Sequence, residues 1–226
     1  NISRCSRNIQ LDKDKPLTTV DLIYPMNGEV VTGVFNIFGK LESEEEKVSS
    51  VDLYIDGKAL EVEGELFPSS IPSDNDYFKF HLDSTWLTPG THTYKAIATT
   101  ESGKRITSRE QTIVYKDVGP WITLDNFTYG DFAMNRPLLK GNAGWALSED
   151  EVASLKEKGT SKEKRAAIEA MSISRVYLSF DNGKNYIPVS KLNKGKWEYR
   201  IENEDINAGY YFMMLKAEMK NGEKAV

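Results

Sequence analysis

The sequence predicts an all-β protein made of two tandem antiparallel β-sandwiches, the second with a short α-helical insertion at about residues 148–171. First, the stretch 78–105 is repeated without a gap at 197–224. Second, short strand-like segments alternate with turn signals in both halves, as in sandwich folds. Third, the second half holds about 23 additional residues of helical character between matching strands. The 226 residues suffice for two domains, each with its own core.

The repeat divides the chain into a tail and two domains. Residues 1–16 are polar and lack periodicity, so they are expected to form a tail or an incoming linker. The first domain is predicted at 17–117 and the second at 118–226. The connection around Lys116–Pro120 is short and contains Gly-Pro, which predicts a stiff joint between the domains.

The first domain begins with strand-like runs separated by turns. Residues 18–24 form the first predicted strand, and Val30–Leu41 the second. In the next strand, Val51–Ile55, apolar and polar residues alternate, which is typical of a half-buried strand. Asp56-Gly57 predicts a hairpin turn after it. Residues 60–76 have the composition of a loop.

The repeated stretch supplies the predicted core of the first domain. Phe78, Phe80 and Leu82 alternate with polar residues and are expected to point inward. A second inward row is predicted in the strand after Pro89-Gly90. This row consists of His92, Tyr94, Ala96 and Ala98. Ile106–Tyr115 is predicted to be the closing strand.

The second copy presents the same strands in the same order. At an offset of 102 Gly39 matches Gly141, and at an offset of 119 Phe78 matches Trp197. Finding several matching strands in order indicates a repeated architecture. Val226 is equivalent to Thr107, so the last strand of the second domain is expected to be missing. Two explanations remain open, a fragment of a longer protein or a domain that another strand completes.

The helical insertion shows two capping boxes, Ser148 with Glu151 and Thr160 with Glu163. Helices this short need an apolar surface to pack on. Polar positions of the first copy have turned apolar on one outward sheet face of the second. We therefore expect the helices to cover that face. The side chains predicted to meet there are Tyr177, Phe212 and Met214 on the sheet and Val152, Leu155, Ile168 and Met171 on the helices.

The chain resembles the bacterial immunoglobulin-like domains of exported, multi-domain surface and periplasmic proteins. The resemblance lies in Tyr24–Gly28, Val51–Gly57, Gly90–Ala96 and Gly209–Met213. In the second copy Tyr211 holds the corner-tyrosine position and Met213 the usual cysteine position. His92 and Tyr94 stand there in the first. The resemblance implies sandwiches without the family disulfide and a location at the bacterial cell surface or in the periplasm.

The composition argues against several classes of function. The net charge is −5 with both signs interspersed, so no nucleic-acid footprint is present. No apolar run is long enough to predict a transmembrane segment. The sequence contains no phosphate loop, dinucleotide fingerprint or nucleophile elbow. We therefore predict no enzyme, and no catalytic, cofactor or metal site.

Two local features leave alternatives. The single cysteine, Cys5, rules out an internal disulfide and is either a lipid-anchor site or an incidental tail thiol. Asp181–Asn185 lacks the carboxylates of a calcium loop and is expected to be a hairpin turn.

The predicted function is a non-enzymatic structural or interaction module. Two rigid domains on a short joint would form a rod that spaces or presents further domains of the same polypeptide, or binds a partner protein. The alternative is an accessory carbohydrate-binding module of a polysaccharide-active or cell-wall-associated enzyme. Its glycan would contact the insertion and the aromatic residues Trp121 and Trp145, of which Trp121 is also expected to lie at the domain junction.

Overall fold

The structure is a computed structural model, and it describes residues 18–43, 46–62, 64–67, 76–83, 85–127, 136–158, 160–202 and 213–226. This part of the chain consists mostly of β-strands in antiparallel sheets, with two short helices in the second half. The predicted fold class is confirmed. Neither helix among the described residues is long and apolar enough to cross a membrane.

The first sandwich contains ten strands in two sheets. One sheet has the order β1-β3-β7-β6, and the other has the order β2-β10-β8-β4-β5, with β9 paired to β8. The strands are β1 Thr19–Tyr24, β2 Glu29–Thr32, β3 Phe35–Glu42, β4 Val48–Ile55, β5 Lys58–Ala59, β6 Glu65–Phe67, β7 Asp76–Leu82, β8 Gly90–Thr100, β9 Arg105–Thr107 and β10 Gln111–Lys116. All pairs are antiparallel except β2 and β10, which run parallel.

The second sandwich repeats this plan with fewer strands. Its sheets have the orders β11-β12-β16-β15 and β14-β13-β17-β18. Its elements are β11 Pro120–Ile122, β12 Leu138–Trp145, α1 Glu149–Glu157, α2 Ser161–Ala170, β13 Ile173–Ser179, β14 Ile187–Pro188, β15 Lys191–Asn193, β16 Lys196–Arg200, β17 Met214–Met219 and β18 Lys224–Ala225. The division of the chain into domains at residues 117 and 118 stays a prediction.

Each sandwich buries its own apolar cluster, and the repeated stretch contributes to both. Phe78, Phe80 and Leu82 are fully buried in the first cluster. Trp197 is 1% exposed at the centre of the second. The period-2 pattern therefore identified the inward residues of β7 correctly. Its polar residues lie on the other face, where water satisfies them.

The two cores share one packing device, an aromatic ring laid over a glycine of the neighbouring strand. Gly39 of β3 pairs with Phe78, and Gly141 of β12 pairs with Trp197. A Cβ atom on Gly39 would lie 2.1 Å from Phe78 Cζ. On Gly141 it would lie 2.5 Å from Trp197 Cζ2. These distances are far below van der Waals contact, so the rings occupy the space that any side chain would need.

The prediction of one continuous strand over Val30–Leu41 is wrong. The chain leaves β2 at Gly33, which has φ of +57°, and enters β3 in the opposite sheet. Glycine adopts this backbone conformation without steric cost, so the strand switches sheets here. The apolar residues on both sides of Gly33 concealed the bend.

Two other boundaries differ from expectation. The predicted closing strand Ile106–Tyr115 is two strands, β9 and β10, because Ser108 interrupts the ladder. Its backbone N–H donates to the carbonyl of Ala96, and its hydroxyl accepts from the Ala96 N–H. The region 60–76, predicted as loop, contains the short strand β6 against β7. Such local pairings depend on partners distant in sequence, which composition does not reveal.

Both predicted helices form, and both capping boxes are present. The Ser148 hydroxyl accepts from the Glu151 N–H, and Thr160 does the same for Glu163. Each glutamate carboxylate returns a hydrogen bond to the backbone of its cap residue. These bonds satisfy N–H groups that the first turn of a helix leaves free. None of the described residues of α1 and α2 is buried.

Candidate functional site

The junction between the two sandwiches gathers the features that bear on function. The chain passes from β10 to β11 through residues 117–119 only. The Thr32 hydroxyl donates to the Pro120 carbonyl over 2.6 Å, and a Cβ atom on Gly119 would lie 2.6 Å from Thr32 Cγ2. The connection is therefore short and pressed against β2 of the first sandwich.

Apolar side chains of the second sandwich complete the contact. Met214, at the start of β17, and Val226 pack against the core cluster of the first sandwich. Burial of apolar surface is the main favourable term in such contacts. The two sandwiches therefore share an apolar interface rather than only a covalent tether.

Two polar contacts flank this interface. Lys116 at the end of β10 forms an ion pair with Glu223, with 2.9 Å between Nζ and Oε1. Asn182 donates its side-chain amide to the hydroxyl of Tyr77 over 3.3 Å. Both pairs join residues that are more than 100 positions apart in the chain, so they fix the relative position of the sandwiches rather than local structure.

The loop between β13 and β14 carries Asn182 to the first sandwich. Asp181 shapes it, since one carboxylate oxygen accepts from the Asn185 N–H at 2.8 Å and from the Ser179 hydroxyl at 2.8 Å. The backbone hydrogen bond from Asn185 is the main reason that the pKa of Asp181 falls to about 2. The carboxylate therefore stays ionised and holds the loop in shape over the physiological range. The hairpin predicted here forms, but with a longer loop than a two-residue turn.

Tyr186 ends this loop and also reaches the first sandwich. The Lys216 ammonium lies 4.1 Å from the centre of its ring and 4.6 Å from that of Tyr177. Burial raises the pKa of Tyr24 in the first sandwich, and Glu29 and Tyr186 add to that rise. A cation between two aromatic faces is a favourable contact that orders the outer face of β13 and β17.

A crevice of about 620 Å³ opens between the sandwiches beside these contacts. Its wall is mostly apolar and includes Val34, Trp121 and Met213, with Lys79 and Asp117 as the charged members. Val34 is 64% exposed and Trp121 is 42% exposed. Trp121 is the only aromatic residue among the exposed large apolar side chains in the described part of the chain.

The two tryptophans of the predicted ligand surface are in different surroundings. Trp121 lines the crevice at the junction, where its indole covers Gly144. Trp145 packs against the core cluster of the second sandwich, with its ring nitrogen buried. The structure thus does not bring the two together as one platform, and only Trp121 offers a surface to a ligand.

The predicted cover of the helical insertion over one sheet face has a different arrangement. Met214 packs against the first sandwich, and Tyr177 lies against Lys216. On the helices, Ile168 is 61% exposed, and Val152, Leu155 and Met171 are half-buried. Phe212 lies outside the described residues. A role of the remaining side chains in packing the insertion stays a prediction.

No constellation for catalysis or metal binding is found within the described residues. They contain no group of three or more His, Cys, Asp or Glu side chains placed to hold a metal ion. His81 contacts Asn36, and His92 contacts Asp56, in separate parts of the first sandwich. These side chains fit structural roles.

The comparisons with known proteins agree with this geometry. The first sandwich matches the bacterial Ig domain family. The match covers residues 19–96 and confirms the resemblance that the sequence predicted. No curated protein matches the sequence significantly.

Several solved structures are similar to the chain. Fibronectin(III)-like modules of Clostridium thermocellum CbhA are 17% identical, with 92% of this chain and 90% of that chain covered and a TM-score of 0.33. For the SrpA adhesin of Streptococcus sanguinis the values are 15%, 77%, 94% and 0.33. For the endo-beta-1,4-mannanase from Thermotoga petrophila they are 14%, 46%, 21% and 0.36, so this chain spans about a fifth of that protein.

The corner of the first Ig-like sandwich carries a histidine with two acceptors. His92 Nδ1 lies 2.7 Å from an Asp56 carboxylate oxygen, and Nε2 lies 2.7 Å from the Thr88 carbonyl. Only the doubly protonated ring can donate to both. Partial burial alone lowers the pKa of His92, but the bonds to Asp56 and Thr88 outweigh it and raise the pKa. The predicted backbone hydrogen bond of His92 is present.

The first Ig-like sandwich is therefore expected to lose stability as the pH rises. A histidine with a raised folded pKa contributes stability that is present below its unfolded pKa of about 6.5 and is lost above the folded value. We expect the free energy of unfolding to fall by about 0.5–1 kcal/mol between pH 5.5 and pH 8.5. Urea unfolding at both pH values measures it. His92→Gln should flatten the profile and His81→Gln should not; an unchanged slope in His92→Gln would contradict the account.

The contacts across the junction were not predicted from the sequence. Lys116, Glu223, Tyr77 and Asn182 are ordinary polar residues in surface loops or strand ends. One signal was available in the repeat, because Glu223 stands at the position of Lys104 in the first Ig-like copy. A charge reversal between otherwise matching turns indicates a different neighbour, although not which one.

Proposed function

We propose that the chain is a non-enzymatic structural module of an exported bacterial protein, located at the cell surface or in the periplasm. Two Ig-like sandwiches held in one relative position space or present further domains of the same polypeptide, or offer a surface to a partner protein. The observation that carries this proposal is the junction, where a three-residue connection is closed by apolar, ionic and hydrogen-bonded contacts. A flexible tether would need none of them.

The physical argument rests on the number and kind of contacts. Interfaces between domains allow relative motion unless they are apolar and well packed. Here Met214 and Val226 reach the core cluster of the first sandwich, and the Lys116–Glu223 pair adds a smaller, salt-sensitive term. The apolar contact therefore dominates, and the arrangement should persist at high salt.

Spin labels on Lys58→Cys and Lys196→Cys, after Cys5→Ser, measure the distance between the sandwiches. Both label positions are exposed. The proposal predicts one narrow distance distribution by double electron–electron resonance at low and high salt. A broad distribution in the unaltered junction would contradict a spacer of fixed geometry.

Placing a charge at the apolar contact is expected to open the junction. Met214→Asp removes apolar burial and sets a carboxylate against the first core cluster, which should weaken the contact by about 1–2 kcal/mol. The distance distribution between the same labels should broaden. Met26→Asp is the matched control, because Met26 is 60% exposed and its substitution should leave the distribution narrow.

Carbohydrate binding remains a second candidate function, and one observation favours it. Trp121 exposes part of its indole to the crevice, and an indole fixed over a glycine can stack against a sugar ring. Polysaccharide pull-down and a glycan array test it, with Trp121→Ala expected to abolish binding and Trp86→Phe as a conservative control. Binding that survives Trp121→Ala, or no binding to any glycan, would remove this candidate.

A further inference from the structure

The turn between β17 and β18 touches both the helical insertion and the first sandwich. The Lys220 N–H donates to the Ser172 carbonyl at 3.0 Å, and the Asn221 N–H donates to the Ala170 carbonyl at 2.9 Å. Lys220 also pairs with Glu169 of α2 at 2.9 Å. The end of α2 therefore holds the turn through two backbone bonds and one ion pair.

The same turn carries the residue that reaches across the junction. The Asn221 side chain donates to one oxygen of Glu223 at 3.2 Å and accepts from the Glu223 N–H at 3.1 Å. The other oxygen of Glu223 pairs with Lys116. Printed contacts thus run without a break from α2 through Asn221 and Glu223 to β10 of the first sandwich.

The first copy shows what this turn does without a helical insertion. Its equivalent turn, 101–104, has the same internal bonds, and the Glu101 N–H donates to Lys47 just as Lys220 donates to Ser172. The short segment 46–47 holds the turn there, and Lys104 stands at the position of Glu223. In the second copy the helices replace that segment and the acidic residue faces the other sandwich.

We propose that the helical insertion is a brace for the junction, which positions Glu223 against Lys116 by holding the 220–223 turn. The brace rests on the proposed function, because it matters only if the sandwiches are held in one arrangement. Asn221 and Glu223 are positioning residues, since they act on the relative placement of the domains through their contacts. The insertion then has a role within the chain and needs no external ligand.

The ion pair itself is tested by reversing its charges. Glu223→Lys restores the residue type of the first copy and sets two ammonium groups against each other. With the labels on residues 58 and 196, this variant should broaden the distance distribution, because it lowers the ratio of docked to undocked sandwiches by up to about fivefold. Lys116→Glu combined with Glu223→Lys should restore the narrow distribution. A distribution that stays narrow in Glu223→Lys overturns the proposal.

The brace is tested by separating the insertion from the turn. Replacing residues 149–170 by a short Gly-Ser linker should broaden the distribution as much as Glu223→Gln does, and combining the two changes should add nothing, since both break one chain of contacts. Asn221→Ala keeps every residue of the insertion and should give the same broadening, which covers a linker variant that fails to fold. Glu157→Gln, outside these contacts, should have no effect.

The outcomes separate the brace from the fixed junction. A narrow distribution in the unaltered chain that stays narrow in the linker variant and in Asn221→Ala, while Glu223→Lys broadens it, overturns the brace and leaves the spacer intact. A broad distribution in the unaltered chain overturns both. Broadening in Asn221→Ala, with none in Glu157→Gln, supports the brace.

Discussion

Replacing Trp197 with alanine is expected to lower the free energy of unfolding of the second sandwich by about 3–5 kcal/mol. The side chain is 1% exposed, and its ring fills the space over Gly141. Its ring nitrogen is buried with no hydrogen-bond partner among the described residues, so the loss comes from apolar contacts. Since single domains have about 5–15 kcal/mol of stability, this variant should lie close to unfolding at room temperature.

The first copy supplies the matched control. Phe78 takes the position of Trp197 there, over Gly39 in place of Gly141. Trp197→Phe keeps a ring on the glycine and removes the unpartnered nitrogen, so it should cost less than about 1.5 kcal/mol. Urea unfolding followed by NMR peaks of each sandwich measures both variants. A Trp197→Ala cost below about 1 kcal/mol would contradict the packing described here.

Gly39→Ala is expected to destabilise the first sandwich by about 1–3 kcal/mol, because the core has no room for a methyl group. Its Cβ would lie 2.1 Å from Phe78 Cζ and 2.7 Å from the backbone carbonyl of Asp21. Either the ring leaves its place or the strand shifts. Asn36→Ala, at an exposed position of the same strand, is the control and should change stability far less.

A double-mutant cycle shows whether the ring is the obstacle. In a Phe78→Ala background the closest atoms to the new methyl group are absent, so the Gly39→Ala penalty should shrink and the two changes should be non-additive by at least about 0.5 kcal/mol. At Gly141 the nearest atom to a Cβ is the Thr123 carbonyl oxygen at 1.9 Å, so truncating Trp197 should give little relief. Equal coupling at both sites would contradict this difference.

The strands, the inward residues and the helical insertion could be predicted because they depend on local pattern. Alternation placed Phe78, Phe80 and Leu82 in the core, and the capping boxes placed the helix starts at Ser148 and Thr160. Internal repetition then extended these assignments to the second copy. The same method failed at Gly33, where the apolar pattern continues across a change of sheet and only the backbone conformation reveals it.

The candidate site was less predictable because its contacts join distant parts of the chain. The sequence placed Trp121 at the junction correctly, since it follows the Gly-Pro connection directly. It gave no reason to place Met214 against the first sandwich or Asn182 against Tyr77. Such pairs follow from the relative position of two folded units, which no local period encodes.

The fixed arrangement of the two sandwiches is tested most directly by residual dipolar couplings of their backbone amides. The couplings of each sandwich define an alignment tensor in a weakly aligned sample. The contacts at the junction predict that one tensor, applied to the whole structure, fits both sandwiches with the same magnitude and orientation. Two tensors of different magnitude would show independent motion and would contradict the proposed spacer.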